Sequence, residues 1–342
     1  MDRKRISIYE IANEAGVSPA TVSRVINESA RVSDDKKEKV WKIIRKYDFK
    51  PNALAKGLSS SRSGILGILV AHVDSPFYAK LVAECERVTN EMGYTLLMSS
   101  SLSDHELERK QLQKMYEQCV DAIILLGGNM DADVVEEKSV SMVNYLAETV
   151  PIVVTGKSHG IPCYEVRLDE SGGMELAMEY LIGLGHREIA FPGGMANVYS
   201  TLEKRLAYQR ILRKYGMEFR EEWIKDGDYN QEAGYRIMKK LLHGKRPGAV
   251  IGINDYFAAG ALNAILDSGL RVPEDISLLA FDHTHISQIL RPALTGVACD
   301  YREYARRLVV TAIDAAEGKT TAASQTVKMK LINGKSCRKA AG

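Results

Sequence analysis

The sequence predicts a two-part protein: a small all-helical headpiece, then a larger α/β body whose parallel sheets carry helices on both faces and form two lobes. Three observations carry this. Residues 1–63 hold 14 Lys/Arg against 8 Asp/Glu, net +6, whereas the remaining 279 hold 32 against 36, net −4. Within the basic segment apolar residues recur at helical spacing, and beyond residue 64 short apolar runs alternate with helical stretches, the βαβ rhythm of a parallel sheet. The 342 residues exceed the roughly 250 to 300 of a single core, and about ten strands exceed one sheet, so two lobes are expected.

In the headpiece, Ile8, Ile11, Ala12 and Ala15 form one apolar stripe, and Gly16 stands where a left-handed residue ends a helix. Ser18 then caps a second helix with Pro19 at its first position, and Val22, Val25 and Ile26 form its apolar face. Ser33, Asp34 and Asp35 open a third helix running through Val40, Ile43 and Ile44 towards Tyr47, with the acids at its positive end. Pro51 closes the unit. Residues 52–63, NALAKGLSSSRS, read as a linker with one or two turns of marginal helix. Strands are then predicted at GILGILVA, YTLLMSS, DAIILLG, PIVVTG, EIAFPGG, GAVIGIN, DISLLAFD and TGVACD. Helices are predicted at 78–91, 106–118, 174–184, 204–215, 231–242 and 258–267. Ligands of such sheets bind in the crevice beyond the strand C-termini.

Several classes are excluded. No apolar run approaches the roughly 20 residues of a membrane span, and MDRKRIS lacks a secretory apolar region. Five scattered cysteines suggest neither a disulfide framework nor a zinc knuckle, so a reducing cytoplasm is expected. TGKS and NGKS lack the first glycine of a phosphate-binding loop, since Pro151 and Met329 stand there. DHTH, residues 282–285, has no third metal ligand at a known spacing. Met115 and Met178 read as core filling. No cofactor, metal or catalytic residue is expected.

The run IYEIANEAGVSPATVSRVINESARVSDDKKEKVWKIIRKYDFKPNALAKGL, followed by SPFYAKLV, LGHREIAF, EKRLAYQRIL, GINDYFAAGAL and SGLRVPEDISLLAFDH, resembles the lactose repressor/galactose repressor (LacI/GalR) family of bacterial transcription regulators over nearly the whole chain. The resemblance implies a helix-turn-helix domain at 1–50, a hinge at 51–63 and a periplasmic-binding-protein-like core at 64–342. The N-lobe is expected at about 64–168 and 297–322, and the C-lobe at about 169–296 and 323–334. The family's tetramers carry a C-terminal apolar heptad helix, whereas NGKSCRKAAG has no such repeat, so a homodimer is expected on a pseudo-palindromic double-stranded DNA operator.

In a helix-turn-helix the start of the second helix faces base edges, here Pro19 and Ala20, with Arg24 one turn on. Arg24 suits guanine O6 and N7, and Ala20 the thymine methyl. Ser18, Thr21 and Ser23 suit phosphate oxygens, Thr21 and Ser23 having satisfaction of the local backbone as the alternative. Tyr9 could reach phosphate or merely pack on the surface, and Asn27 resembles the family's headpiece asparagine. In the hinge, Leu58 matches the family's minor-groove wedge, Ala55 leaves room for close approach, and Leu54 is expected against its symmetry mate.

Effector candidates are His72, Asp74, Ser75, Phe77, Asn129 and Lys157 in the N-lobe, Arg167 at the crossover, and Arg205, Tyr229, Asn254 and Asp282 in the C-lobe. Arg205, Asn254 and Asp282 match family ligand positions, while Asp255 is expected to cap a helix rather than touch ligand. Lys157 departs from the acidic residue of lactose-type members. With His72, Arg167 and Arg205 it gives an apparent cationic excess, to be met by Asp74, Asp255 and Asp282 or by an anionic ligand, which slightly favours an acidic or phosphorylated sugar. The implied function is a cytoplasmic, nucleoid-associated repressor of carbohydrate-metabolism genes gated by a small sugar-like effector between the lobes. The alternative is a regulator gated mainly by a protein co-repressor, as in catabolite control. No membrane association and no enzyme activity are expected.

Overall fold

A computed structural model describes residues 6–27, 31–47, 49 and 62–340. They divide into two units, Met1–Gly64 and Ile65–Gly342. The expected hinge contacts of Leu54, Ala55 and Leu58, and the side chain of Asn27, lie outside the described residues.

Helix α1 (Ile8–Ala15) starts at a reciprocal cap: Glu10 N–H donates to Ser7 Oγ at 3.3 Å while Ser7 N–H donates to the Glu10 carboxylate at 2.8 Å. It ends at Gly16, whose φ of 65° is the left-handed conformation expected there. Helices α2 (Pro19–Asn27) and α3 (Asp34–Tyr47) follow as predicted. Ile11, Ala12, Ala15, Val22, Val25, Val40, Ile43 and Ile44 bury together as the headpiece core.

The second unit holds two sheets. The first contains β1 (Ile65–Val70), β2 (Thr95–Ser100), β3 (Ala122–Leu126), β4 (Ile152–Val154), β5 (Tyr164–Leu168) and β10 (Ser324–Val327), all parallel, in the order β10-β5-β4-β3-β1-β2. Helices α4 (Pro76–Glu91), α5 (His105–Glu117), α6 (Glu137–Ala147) and α12 (Tyr301–Ala316) cover it. The second sheet contains β6 (Ile189–Ala190), β7 (Ala249–Gly252), β8 (Ser277–Phe281), β9 (Thr295–Cys299) and an antiparallel edge β11 (Met329–Ile332), in the order β11-β9-β8-β7-β6. With it lie α7 (Glu170–Gly183), α8 (Tyr199–Lys214), α9 (Gln231–His243), α10 (Asp255–Leu266) and the short α11 (His285–Ile289). Met115 and Met178 are buried in the cores.

Two strands correct the expected lobe boundaries. TGVACD, placed partly in the N-lobe from residue 297, pairs with β8 and belongs wholly to the C-lobe; residues 324–327, assigned to the C-lobe, pair with β5 and close the N-lobe sheet. Composition could not decide this, because a buried apolar strand reads alike in either sheet and only its hydrogen-bonding partner assigns it. The chain thus crosses between lobes after β5, after β9 and after β10.

Candidate functional site

In the headpiece, buried Val22 and Val25 leave Pro19, Ala20 and Arg24 exposed on the outer side of α2. Tyr9, 71% exposed, stands at the start of α1. Ser18 Oγ accepts the Thr21 N–H at 3.2 Å and meets Thr21 Oγ1 at 2.9 Å. Ser18 thus takes the Thr21 N–H at the start of α2, and the Thr21 hydroxyl bonds the Ser18 side chain rather than backbone. Ser23 is half-buried.

In the second unit a cleft enclosing about 460 Å³, part of it open to solvent, lies between the lobes. Phe77, Tyr78, Asp131 and Thr155 line it from the N-lobe, with Tyr304 of α12. Arg167, Leu168 and Glu170 line it at the first crossover, and Tyr199, Ser200 and Glu203 from the C-lobe. Glu170 and Lys204 form a buried ion pair at 2.6 Å. Burial alone would lower the Lys204 pKa, but the Glu170 carboxylate prevails and holds it above the ordinary lysine range. Burial pushes the Asp131 carboxyl up to about 7, although Ser200 Oγ donates to its Oδ2 at 2.8 Å and opposes the rise. Lys157 Nζ stands 3.8 Å from the centre of the Tyr199 ring, whose hydroxyl bonds Glu203. The walls offer aromatic faces, carboxylates and one guanidinium, a donor and acceptor set suited to a small polyhydroxylated ligand.

A model of the bacterial regulatory proteins of the lacI family matches residues 7–52, and one of the periplasmic binding protein-like domain matches residues 178–337. Catabolite control protein A of Priestia megaterium is 33% identical over 297 residues, covering 85% of this chain and 87% of that protein. The transcriptional repressor PurR of Erwinia tasmaniensis is 32% identical, covering 85% and 84%. The chain belongs to the lacI family. Among solved structures, the Lac repressor dimer bound to operator and the anti-inducer ONPF superposes with a TM-score of 0.87 at 25% identity, covering 98% of this chain and all of that one. The CelR–cellobiose complex gives 0.71 at 27%, covering 97% and 100%. This lacI-family chain is therefore a DNA-binding transcriptional regulator with a helix-turn-helix headpiece and a two-lobed, periplasmic-binding-protein-like core.

Of the expected effector residues, Phe77 and Arg167 line the cleft, and Lys157 stands beside it through Tyr199. Others are engaged in holding the lobes' own structure. Arg205 bonds Asp226 at 2.6 Å and the carbonyls of Gly193 and Gly194 at 3.2 and 3.1 Å. Tyr229 Oη meets Thr201 Oγ1 at 2.8 Å and accepts the Met195 N–H at 3.3 Å. Asn254 caps α10, accepting from Phe257 N–H at 2.8 Å, and donates to the Tyr229 carbonyl at 3.0 Å. Asp255 does not cap that helix: it is buried and accepts from Thr284 N–H and Oγ, so the expected capping role passes to Asn254, one residue earlier. His72 is exposed, 2.8 Å from Ser103 Oγ and 3.7 Å from Asp74. Ser75 stands at the N-cap of α4 without a side-chain bond.

Asn129 is buried with no partner for its amide atoms among the described residues. Asp282 holds a φ of 76°, and its carboxyl pKa is driven well above the ordinary range by burial and then by Asp255, against Lys204 and Lys80. The expected cationic excess is corrected: Arg205 is neutralised by Asp226, Arg167 lies 3.3 Å from Glu165, and Asp131, Glu170 and Glu203 line the cleft. Cations cannot be summed from sequence when their partners come from elsewhere in the fold.

Proposed function

We propose that this regulator binds a small neutral polyhydroxylated effector, sugar-like in chemistry, between its lobes, and that the bound state changes its affinity for a pseudo-palindromic operator recognised by a homodimer. The observation that carries this is a cleft lined from both lobes, where Arg167, Glu203, the Asp131 carboxyl and Glu170 in its pair with Lys204 offer polar groups of little net charge and two tyrosines join Phe77 on the N-lobe side. Carboxyl groups exchange hydrogen bonds with hydroxyls and, among the described residues, the cleft holds no unpaired cation cluster for an anion, while aromatic faces cover the apolar side of a pyranose ring. Two structural neighbours hold small molecules, the anti-inducer ONPF on the Lac repressor and cellobiose on CelR, and the second supports the sugar class. Repression of carbohydrate-metabolism genes in the cytoplasm follows as the working role. In the headpiece, Arg24 and Ala20 would read bases, with Pro19 beside them at the helix start. Ser18, Thr21, Ser23 and Tyr9 would meet phosphate, and Asn27 and the hinge residues Ala55 and Leu58 would complete the interface.

Calorimetry of the full chain against neutral sugars, sugar acids and sugar phosphates, with operator binding followed by fluorescence anisotropy, tests the reading. Heat from neutral sugars together with altered operator affinity is expected. Binding confined to sugar phosphates overturns the neutral assignment. No binding by any small molecule, with operator affinity responding only to a protein partner, overturns effector gating in favour of co-repressor control.

A further inference from the structure

Residues 197–200, at the start of α8, each meet the N-lobe. Val198 occupies the N-cap position of that helix and has no side-chain acceptor, so the first amides require one from elsewhere. Asp131, at the end of the N-lobe 3-10 turn Gly128–Asp131, supplies it. Its carboxyl accepts from Ser200 Oγ at 2.8 Å and also from the Ser200 backbone N–H. A carboxylate at a helix N-terminus is further favoured by the helix dipole. The neighbouring residues repeat the pattern: Asp133 N–H donates to the Asn197 carbonyl at 2.8 Å, Ala132 and Val198 form an antiparallel bridge, and Lys157 Nζ stands over the Tyr199 ring at 3.8 Å. Four consecutive C-lobe residues therefore each touch the N-lobe.

We propose that residues 131–133 and Lys157 on one lobe, and residues 197–200 on the other, form a latch that holds the two lobes together across the cleft, with Asp131 acting as a helix cap supplied across the lobe boundary. Asp131, Tyr199 and Ser200 also line the cleft, so a ligand entering there must share or displace the latch. Opening exposes the Asp131 carboxyl and leaves the first turn of α8 uncapped.

The latch is pH-sensitive. The groups facing Asp131 are Glu170 on α7, Lys204 on α8, Tyr78 on α4, Tyr304 on α12 and Tyr229. Burial, reinforced by Glu170 and opposed by Ser200 and Lys204, pushes its carboxyl up to about 7 in the closed cleft. Solvated in an open cleft, the same carboxyl returns to an ordinary aspartate value of about 3.9. The closed state therefore holds the extra proton: the latch is strongest below the open-state value, weakens as pH rises from about 4, and has lost that contribution once pH passes about 7.

Hydrogen exchange read by mass spectrometry on the effector-free full chain tests this. The readout is the protection factor, corrected for intrinsic rate, of the amides of Asp133 and Ser200, with strands β7 and β8 as the control for global unfolding. Wild-type protection at the two amides should fall between about pH 5 and 7 and level off above, the window in which the closed state alone holds the proton. Asp131→Asn keeps an acceptor but cannot ionise, so its protection should stay high and flat with pH. Asp131→Ala should lose protection by at least about fivefold at every pH, the loss of a helix cap. Wild-type protection in Asp131→Ala, or the wild-type pH course in Asp131→Asn, would overturn the latch; the second comparison decides even if the alanine variant folds poorly.

Discussion

Arg24 is exposed on α2, and its guanidinium presents the two parallel donors that guanine O6 and N7 accept. Replacing it by alanine should cost about 1 to 3 kcal/mol of specific operator binding and relax the preference at one base pair per half-site. Anisotropy titrations against singly substituted operators check this; a loss equal for all sequences would show a phosphate contact instead. The Glu170–Lys204 pair makes a different kind of claim. Both side chains are about nine-tenths buried, so Lys204→Met should strand a buried carboxylate and cost about 3 to 5 kcal/mol of stability. The double variant Glu170→Leu/Lys204→Met removes both charges and should recover most of that loss in denaturant unfolding. If the double variant is as unstable as the single one, the lysine serves packing rather than charge.

Helices α9 and α10 cross backbone to backbone, and two glycines make the crossing possible. A Cβ on Gly260 would lie 1.9 Å from the Gln231 carbonyl oxygen, and one on Gly234 would lie 2.0 Å from that of Phe257. Alanine at either site gains up to about 1 kcal/mol of helix propensity but forces the helices apart. Gly260→Ala should therefore destabilise by about 1 to 3 kcal/mol net, seen as a lowered denaturant midpoint. Alanine at Gly183, with open space around the added carbon, should stabilise slightly or do nothing. These elements also show what the sequence made legible. The headpiece helices were readable because their ends are local: Gly16 in αL and Pro19 after Ser18 act within one turn, as does the Ser7–Glu10 cap that sequence reasoning missed. Strand β5 was not, since YEVRL mixes polar and apolar residues and becomes a strand through its pairing with β4 and β10. Helix α12 likewise takes its place from packing on α4 and the sheet.

At the scale of the whole molecule, the basic first 63 residues and the acidic remainder confine affinity for phosphate to one end of the chain. Operator affinity should fall steeply with salt, linear in log–log form with a slope set by the phosphates neutralised. Leu58→Ala should lose most specific affinity while sparing that salt-driven non-specific binding, measured on operator and random duplexes side by side. The cleft was less legible than the fold. Phe77 and Arg167 could be named because one opens the helix that follows the first strand and the other lies at the end of a strand. Tyr199, Ser200 and Glu203 open helix α8, whereas Asp131 ends a 3-10 turn in the other lobe, and only the fold brings them to one cleft. Arg205 carried the right chemistry, but its partner Asp226 lies 21 residues away, which motif spacing does not reveal. The account's central claim is that occupancy of this cleft and binding of DNA are coupled in one equilibrium. Its most direct test is the affinity of the full chain for operator, measured by anisotropy with and without a saturating cleft ligand, and the ligand's affinity with and without operator. The account predicts a change of about 5- to 150-fold in operator affinity and the same factor in the reverse experiment. A ligand that fills the cleft and leaves operator affinity unchanged would contradict it.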